Sequence, residues 1–219
     1  MSKLRWDKDT DRLFEAGIDR GVLYELDDDH TYVGVAWNGI TSVEEHNNSS
    51  VTPIYFDSQK QFDMYAPGDF SASLKAYTYP DEFLKFEGMI EDSATGLLLD
   101  NQPVDTFGLS YRTLIGNPDK STDFEYKIHI LYNVTAIPDA VTRQTLSANV
   151  DPIEFSWSLS CIPEEVVNFR PTAHIVVDTR KVSRAKVSEI EFALYGGPDS
   201  PIDLPYLPSA QDVVTILSS

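Results

Sequence analysis

Apolar and polar residues alternate with a period of two in four long stretches of this chain, the spacing of strands with one buried face. Phe70–Tyr77 sets Phe70, Ala72, Leu74 and Ala76 against Ser71, Ser73 and Lys75. Phe107–Ile115 sets Phe107, Leu109, Tyr111 and Ile115 against Ser110 and Arg112. Tyr126–Val134 sets Ile128, Ile130, Tyr132 and Val134 against Lys127, His129 and Asn133. Pro152–Ser160 sets Ile153, Phe155, Trp157 and Leu159 against Glu154, Ser156, Ser158 and Ser160. Shorter strands are expected at Gly21–Leu26, Val51–Phe56 and Ala173–Val177. Val33–Trp37 and Ile40–Glu45 flank Asn38-Gly39, a dipeptide that tolerates the positive φ angles of a type I′ turn, and this predicts a hairpin.

The helical period is rarer. Ser183 can cap a helix in which Val187, Ile190 and Leu194 share one face, and Gly196-Gly197-Pro198 stops it. A second, short helix is expected from Ser209, with Asp212 in the capping-box position and Val213, Ile216 and Leu217 behind it. Pro198–Pro208 is an extended connector. Gly116–Asp123 joins two long strands and reads as a hairpin tip, while Thr135–Asp151 is turn-rich and polar. Met1–Arg20 mixes charges with Leu4, Trp6, Leu13, Phe14 and Ile18; it reads as a docking arm, or as a short helix around Thr10–Gly17.

Many strands, few helices and no alternation between them predict a mainly β fold with one or two helices. An antiparallel β-sandwich or barrel with a helix on one side fits best. The expected organisation is an N-terminal arm over residues 1–20 and a single domain over residues 21–219, its flanking helix near 183–195.

Length leaves this picture alone, since 219 residues suit one core. Charge changes it. Against 17 Lys and Arg stand 35 Asp and Glu, a net charge of −18, so the chain repels phosphate backbones and anionic membranes alike. Cys161 is the single cysteine, which excludes an intrachain disulfide and a thiolate metal site within one chain. Met1–Arg20 has no apolar signal core, and the longest apolar runs, Leu97–Leu99 and Val213–Leu217, are too short to span a bilayer. The expected location is a cytoplasm, until the protein is packed into a particle.

Candidate chemistry is sparse. Asp7-Lys8-Asp9-Thr10-Asp11 opens like a calcium loop, but Arg12 stands where the sharp turn needs Gly and Ile18 where the bidentate Glu belongs. His30, His46, His129 and His174 show no i,i+4 pairing, and each reads as a surface or strand-face residue. No G-x-S-x-G, S-x-x-K or Walker-type motif occurs. Cys161, followed by Ile162 and Pro163, reads as a small buried hydrophobe. No enzyme, metal or cofactor is expected. Assembly is better supported: long hairpins with polar, tyrosine-bearing outer faces offer edges, and an arm carrying Leu4, Trp6, Leu13 and Phe14 needs a neighbouring subunit to cover it.

Several phrases carry a resemblance. They are Leu13-Phe14-Glu15-Ala16-Gly17, Asp19–Tyr24, Trp37–Val43, Thr52-Pro53-Ile54-Tyr55, Tyr77-Thr78-Tyr79-Pro80-Asp81-Glu82-Phe83, Thr106–Thr113, Tyr126-Lys127-Ile128-His129, Phe155-Ser156-Trp157 and Phe169-Arg170-Pro171-Thr172. Together they resemble the major tail proteins, or tail tube proteins, of siphophages, especially those of actinobacterial hosts. Two departures are local: Arg184 follows Ser183 where the family often has Pro, and Glu25–Val35 is an acidic elaboration.

The resemblance implies a structural virion protein of the tail, held in the host cytoplasm before assembly. Relatives polymerise as stacked hexameric rings into a non-contractile tube that conducts the genome. Implied partners are further copies of itself, tail tip or baseplate and head–tail joining proteins, and the tape measure protein during assembly. DNA would pass through the lumen without specific binding. By position, inter-ring contacts would come from the arm Met1–Arg20 and the loops Gln59–Asp69, Gly116–Asp123 and Thr135–Asp151. A negative lumen lets a polyanion slide without sticking, and the candidate lumen-facing acids are Glu44, Glu45, Asp57 and Asp63. The acids would equally keep an abundant subunit soluble.

The main rival is a monomeric β-sandwich module binding carbohydrate or protein through Trp6, Trp37 and the tyrosines of Tyr77–Tyr79. A two-carboxylate hydrolase is a more distant one and would need a deep cleft.

Overall fold

Burial on both faces sets one strand apart: β9 (Phe107–Asn117) is shielded along nearly its whole length. It lies at the centre of the fold. The computed structural model describes Trp6 and residues 12–26, 32–119, 121–145, 152–197 and 204–218. Beside β9 run β1 (Phe14–Leu26) and β10 (Ser121–Pro138), both antiparallel to it. The other main-sheet strands are β2 (Tyr32–Trp37), β3 (Ile40–Asn47), β6 (Phe70–Ala76), β11 (Phe155–Cys161) and β12 (His174–Asp178). Their order is β2-β1-β9-β10-β11-β6-β3, with β12 paired to β10 as a branch. The fold is therefore mainly antiparallel β, as the alternation predicted, and the sheet stays open rather than closing into a barrel.

The length of β10 explains the shape. Its Lys127–Leu131 half pairs with β12, and its Val134–Pro138 half pairs with β11. From that division β11, β6 and β3 fold back over β1, β9 and β10. One core fills the space between: Leu23, Leu74, Phe107, Leu109, Leu131 and Trp157 are almost wholly buried there. Phe83 and Phe86, from a 3-10 turn over Asp81–Phe86, plug one end. Trp157 meets Phe83 edge to face at 5.1 Å, and Tyr79 closes on Trp157 at 5.5 Å. The segments Tyr77–Phe83 and Thr106–Thr113 thus both contribute side chains to this core.

The second core lies on the other face of β1, β9, β10 and β12, under α1 (Arg184–Tyr195) and α2 (Ala210–Ser218). Val187, Ile190 and Leu194 are buried, as their spacing predicted, and Gly196 ends α1 at φ 77°. Ser209 and Asp212 exchange the reciprocal bonds of a capping box, Ser209 Oγ accepting from the Asp212 amide at 3.1 Å. No helix among the described residues is long and apolar enough to cross a membrane.

Five expectations need correction. Asn38-Gly39 does not close a hairpin, because β2 pairs with β1 and β3 pairs with β6. The dipeptide is the corner where the chain passes from one edge of the sheet to the other. Its glycine takes φ 83°, and its carbonyl accepts the Tyr77 amide at 2.9 Å. Thr10–Gly17 is not helical where it is described: Phe14–Gly17 is strand, with Phe14 opposite Gly116 on the overhang of β9. Two expected loops are partly strand: Gln59–Asp69 is mostly β5 (Gln59–Ala66), and Thr135–Asp151 begins with the last four residues of β10, paired with β11. Val134 does not share a face with Ile128, Ile130 and Tyr132. Asn133 at φ 46° and a register shift between Leu131 and Val134 swing it into the first core.

Candidate assembly surfaces and a half-buried polar cluster

One element has no core of its own. β4 (Ser50–Phe56) and β5 pair with each other in a separate two-stranded sheet. They join at Asp57-Ser58, where φ is 48° and 63°, the pair of positive angles that a type I′ turn requires. The tight hairpin that Asn38-Gly39 suggested occurs here instead, built by Asp and Ser. Along the hairpin Val51, Tyr55, Phe56, Phe62, Met64 and Tyr65 are each more than half exposed. A lone hairpin is marginal in water, and each such side chain, already about half covered, gains about 1 kcal/mol if the rest is buried. Its base is tight: a Cβ on Gly68 would fall 2.0 Å from the Asn48 carbonyl carbon, so only glycine lets the two chains cross there. A smaller apolar hairpin, β7 (Ile90–Asp92) with β8 (Leu97–Leu99), also stands exposed.

The expected arm residues divide. Leu4 lies outside the described residues, and Trp6 is 76 % exposed. Leu13 and Phe14 remain partly exposed, although Phe14 lies over Gly116, where a Cβ would meet its ring at 2.5 Å.

The four candidate acids also divide. Glu44 is exposed on β3, Asp57 sits at the tip of the β4–β5 hairpin, and Asp63 on β5 is bonded to Lys60 at 2.6 Å. Glu45 is different. It turns between the layers, where it accepts the Tyr111 hydroxyl at 2.5 Å and stands 3.0 Å from His129 Nδ1. His174, from β12, completes the group. Thr113, bonded to both His129 and Glu15, and Lys127, paired with Glu15, extend it to the sheet edge. The hydrogen bond from His129 holds the Glu45 carboxyl at about 2, against the cost of its partial burial. Burial lowers His174 to about 4, so its ring is neutral at pH 7.

Sequence spacing missed this cluster. Glu45, His129 and His174 come from three strands, and His129 falls on the polar side of its alternation. That side faces inward, because β3 folds over it, and the ring is 6 % exposed. No local signal carries such information.

No protein-family model matches the chain, and no curated protein does. Solved structures show a distant likeness. A chain of the anti-feeding prophage baseplate, determined by cryo-EM with 6-fold symmetry, is 10 % identical over 82 % of this chain and 99 % of that one, with a TM-score of 0.35. A chain of the sheath–tube complex of the PVC extracellular contractile injection system in its extended state is 15 % identical over 73 % of this chain and 89 % of that one, at 0.38. The cap that terminates the anti-feeding prophage tube contributes a third, 13 % identical over the same shares, at 0.38. Likenesses this distant carry no functional argument.

Proposed function

We propose that this protein is a structural subunit of a phage tail, polymerising as stacked hexameric rings into the non-contractile tube that conducts the genome. The observation that carries the reading is the β4–β5 hairpin: two strands that pair only with each other among the described residues and expose six large apolar side chains. Such a surface is a liability in a monomer and an asset in a polymer. The tail-tube phrases of the sequence and the net charge of −18 point the same way, since a conduit for DNA must not bind it. In this reading the chain performs no chemistry of its own. It meets further copies, the tail tip or baseplate, the head–tail joining proteins and, during assembly, the tape measure protein.

The binding-module rival keeps Trp6 and Tyr77 exposed but loses the rest of its aromatic platform. Trp37 and Trp157 are buried, and Tyr79 packs against both Phe155 and Trp157.

Electron microscopy across a concentration series, with size-exclusion chromatography alongside, tests the proposal. Hollow tubes or six-fold rings are expected from the wild-type chain, and folded monomers from the double variant Tyr55→Ser/Phe62→Ser. A wild-type chain that stays monomeric up to millimolar concentration overturns the reading. A double variant that assembles normally removes the hairpin from it.

A further inference from the structure

His129 and His174 are 45 positions apart, yet β10 and β12 bring His129 Nδ1 to 3.2 Å from His174 Nε2. Glu45 Oε1, from the opposite layer, stands 3.0 Å from the same His129 nitrogen. One donor atom from each residue lies within 4.8 Å of the others. The two imidazole planes differ by 17° with centroids 5.4 Å apart. Set against the short N···N distance, that separation places the rings edge to edge, nitrogen facing nitrogen.

The Thr113 hydroxyl donates to Glu15 Oε1 at 2.6 Å, so it can only accept from His129 Nε2, 3.0 Å away. That bond places a proton on His129 Nε2, and Nδ1 is the ring nitrogen turned towards His174 and Glu45. Tyr111 serves Glu45 from one side at 2.5 Å. His129 Nδ1 meets the same carboxylate oxygen at 3.0 Å, so ligand-type atoms from three strands lie together.

The geometry points to a site for one divalent transition-metal ion of the zinc type, bound by His129 Nδ1, His174 Nε2 and a Glu45 carboxylate oxygen. The separations of 3.0 and 3.2 Å about His129 Nδ1, with all three donor atoms within 4.8 Å, let small side-chain shifts bring them onto one four-coordinate ion with bonds of about 2.0–2.2 Å. Two imidazoles and a carboxylate suit zinc, whereas calcium and magnesium prefer all-oxygen sets. On binding, any proton on His129 Nδ1 or His174 Nε2 is released to solvent or, for His174, carried on Nδ1, which faces Glu45 Oε2 at 3.8 Å. Thr113 on His129 and Tyr111 on Glu45 are the outer contacts that set tautomer and orientation at metal sites. His174 borders a groove of about 740 Å³, also lined by Asp69, Phe70, Arg170 and Thr172, which provides an entry path and a place for the fourth ligand, water. An ion here joins β3 to β10 and β12, clasping the two layers of the sandwich at one end.

The test uses the full chain, stripped with chelator and titrated with Co²⁺ and then Zn²⁺. Expected are one Co²⁺ per chain with the visible bands of a four-coordinate ion, displacement by Zn²⁺, and a higher thermal midpoint with Zn²⁺. Glu45→Gln and His174→Gln should each weaken binding at least tenfold, while His46→Gln binds as wild type. Circular dichroism in chelator checks that each variant is folded. Glu45→Gln, isosteric and at the partly exposed end, keeps the test open if a histidine variant fails to fold. Absence of stoichiometric uptake by the wild type, or uptake undiminished in both ligand variants, overturns the site. Neither outcome depends on whether the chain assembles.

Discussion

The guanidinium of Arg112 grips the carboxylate of Asp19 through two parallel hydrogen bonds, Nε to Oδ1 at 2.8 Å and Nη2 to Oδ2 at 2.6 Å. Only 11 % of the Arg112 side chain is exposed, and its Cζ sits 4.4 Å above the centre of the Tyr126 ring. Removing the carboxylate leaves a largely buried cation short of its best partner. Asp19→Ala is expected to cost about 2 kcal/mol in urea unfolding. Lys60→Ala, which breaks a pair about half exposed on both sides, should cost under about 1 kcal/mol.

The corner at Gly39 should be intolerant of a side chain. Its φ of 83° suits glycine, and a Cβ there would meet Thr78 Cγ2 at 2.8 Å. Gly39→Ala is expected to destabilise the fold by about 1–3 kcal/mol. Because the corner is docked through the Trp37 indole, which donates to the Thr78 carbonyl at 2.9 Å, near-UV circular dichroism should report the disturbance as well. An unchanged urea midpoint and an unchanged near-UV spectrum would show that the corner relaxes freely.

Gly68→Ala separates assembly from folding. The added methyl meets backbone of Asn48 and Ser49, which a rotamer change cannot relieve. The hairpin base must shift, while both cores lie elsewhere. Tube formation is expected to fall sharply with a thermal midpoint lowered by only a few degrees. Limited proteolysis between Asn47 and Gly68 should be faster than in the wild type.

Cys161 should be inert in the folded protein. Its thiol is buried in the first core, and burial pushes it up to about 12. Raising the pH from 7 to 9 therefore generates little thiolate in the native state, whereas an unfolded cysteine ionises over that range. Alkylation followed by mass spectrometry should show negligible labelling at pH 9 without denaturant and full labelling in urea. Rapid native labelling would place the thiol at a surface.

Local pattern was a good guide wherever neighbours in sequence settle the outcome. The inward residues of β6 and β11, the apolar face of α1, the capping box of Ser209 and Asp212 and the β9–β10 hairpin tip all follow from spacing of a few residues. Where spacing misled, a distant contact intervened. Phe14 is strand because the overhang of β9 offers it a partner. Val134 changes faces because Asn133 adopts a left-handed conformation.

The largest gap concerns pairing and what each face meets. Asn38-Gly39 carries a sound turn signal, and the chain does turn there, but the flanking strands pair with partners far off in sequence. The polar side of β10 looked like a solvent face, yet β3 covers it and brings Glu45 to His129 and His174. Periodicity records which residues share a face; it holds no record of what that face will meet. Strand type, helix limits and overall charge are thus properties of short windows or plain sums, readable along the chain. Sheet order, the fold-back of β11, β6 and β3 and the convergence of three side chains depend on contacts dozens of residues apart, and only the folded chain supplies those.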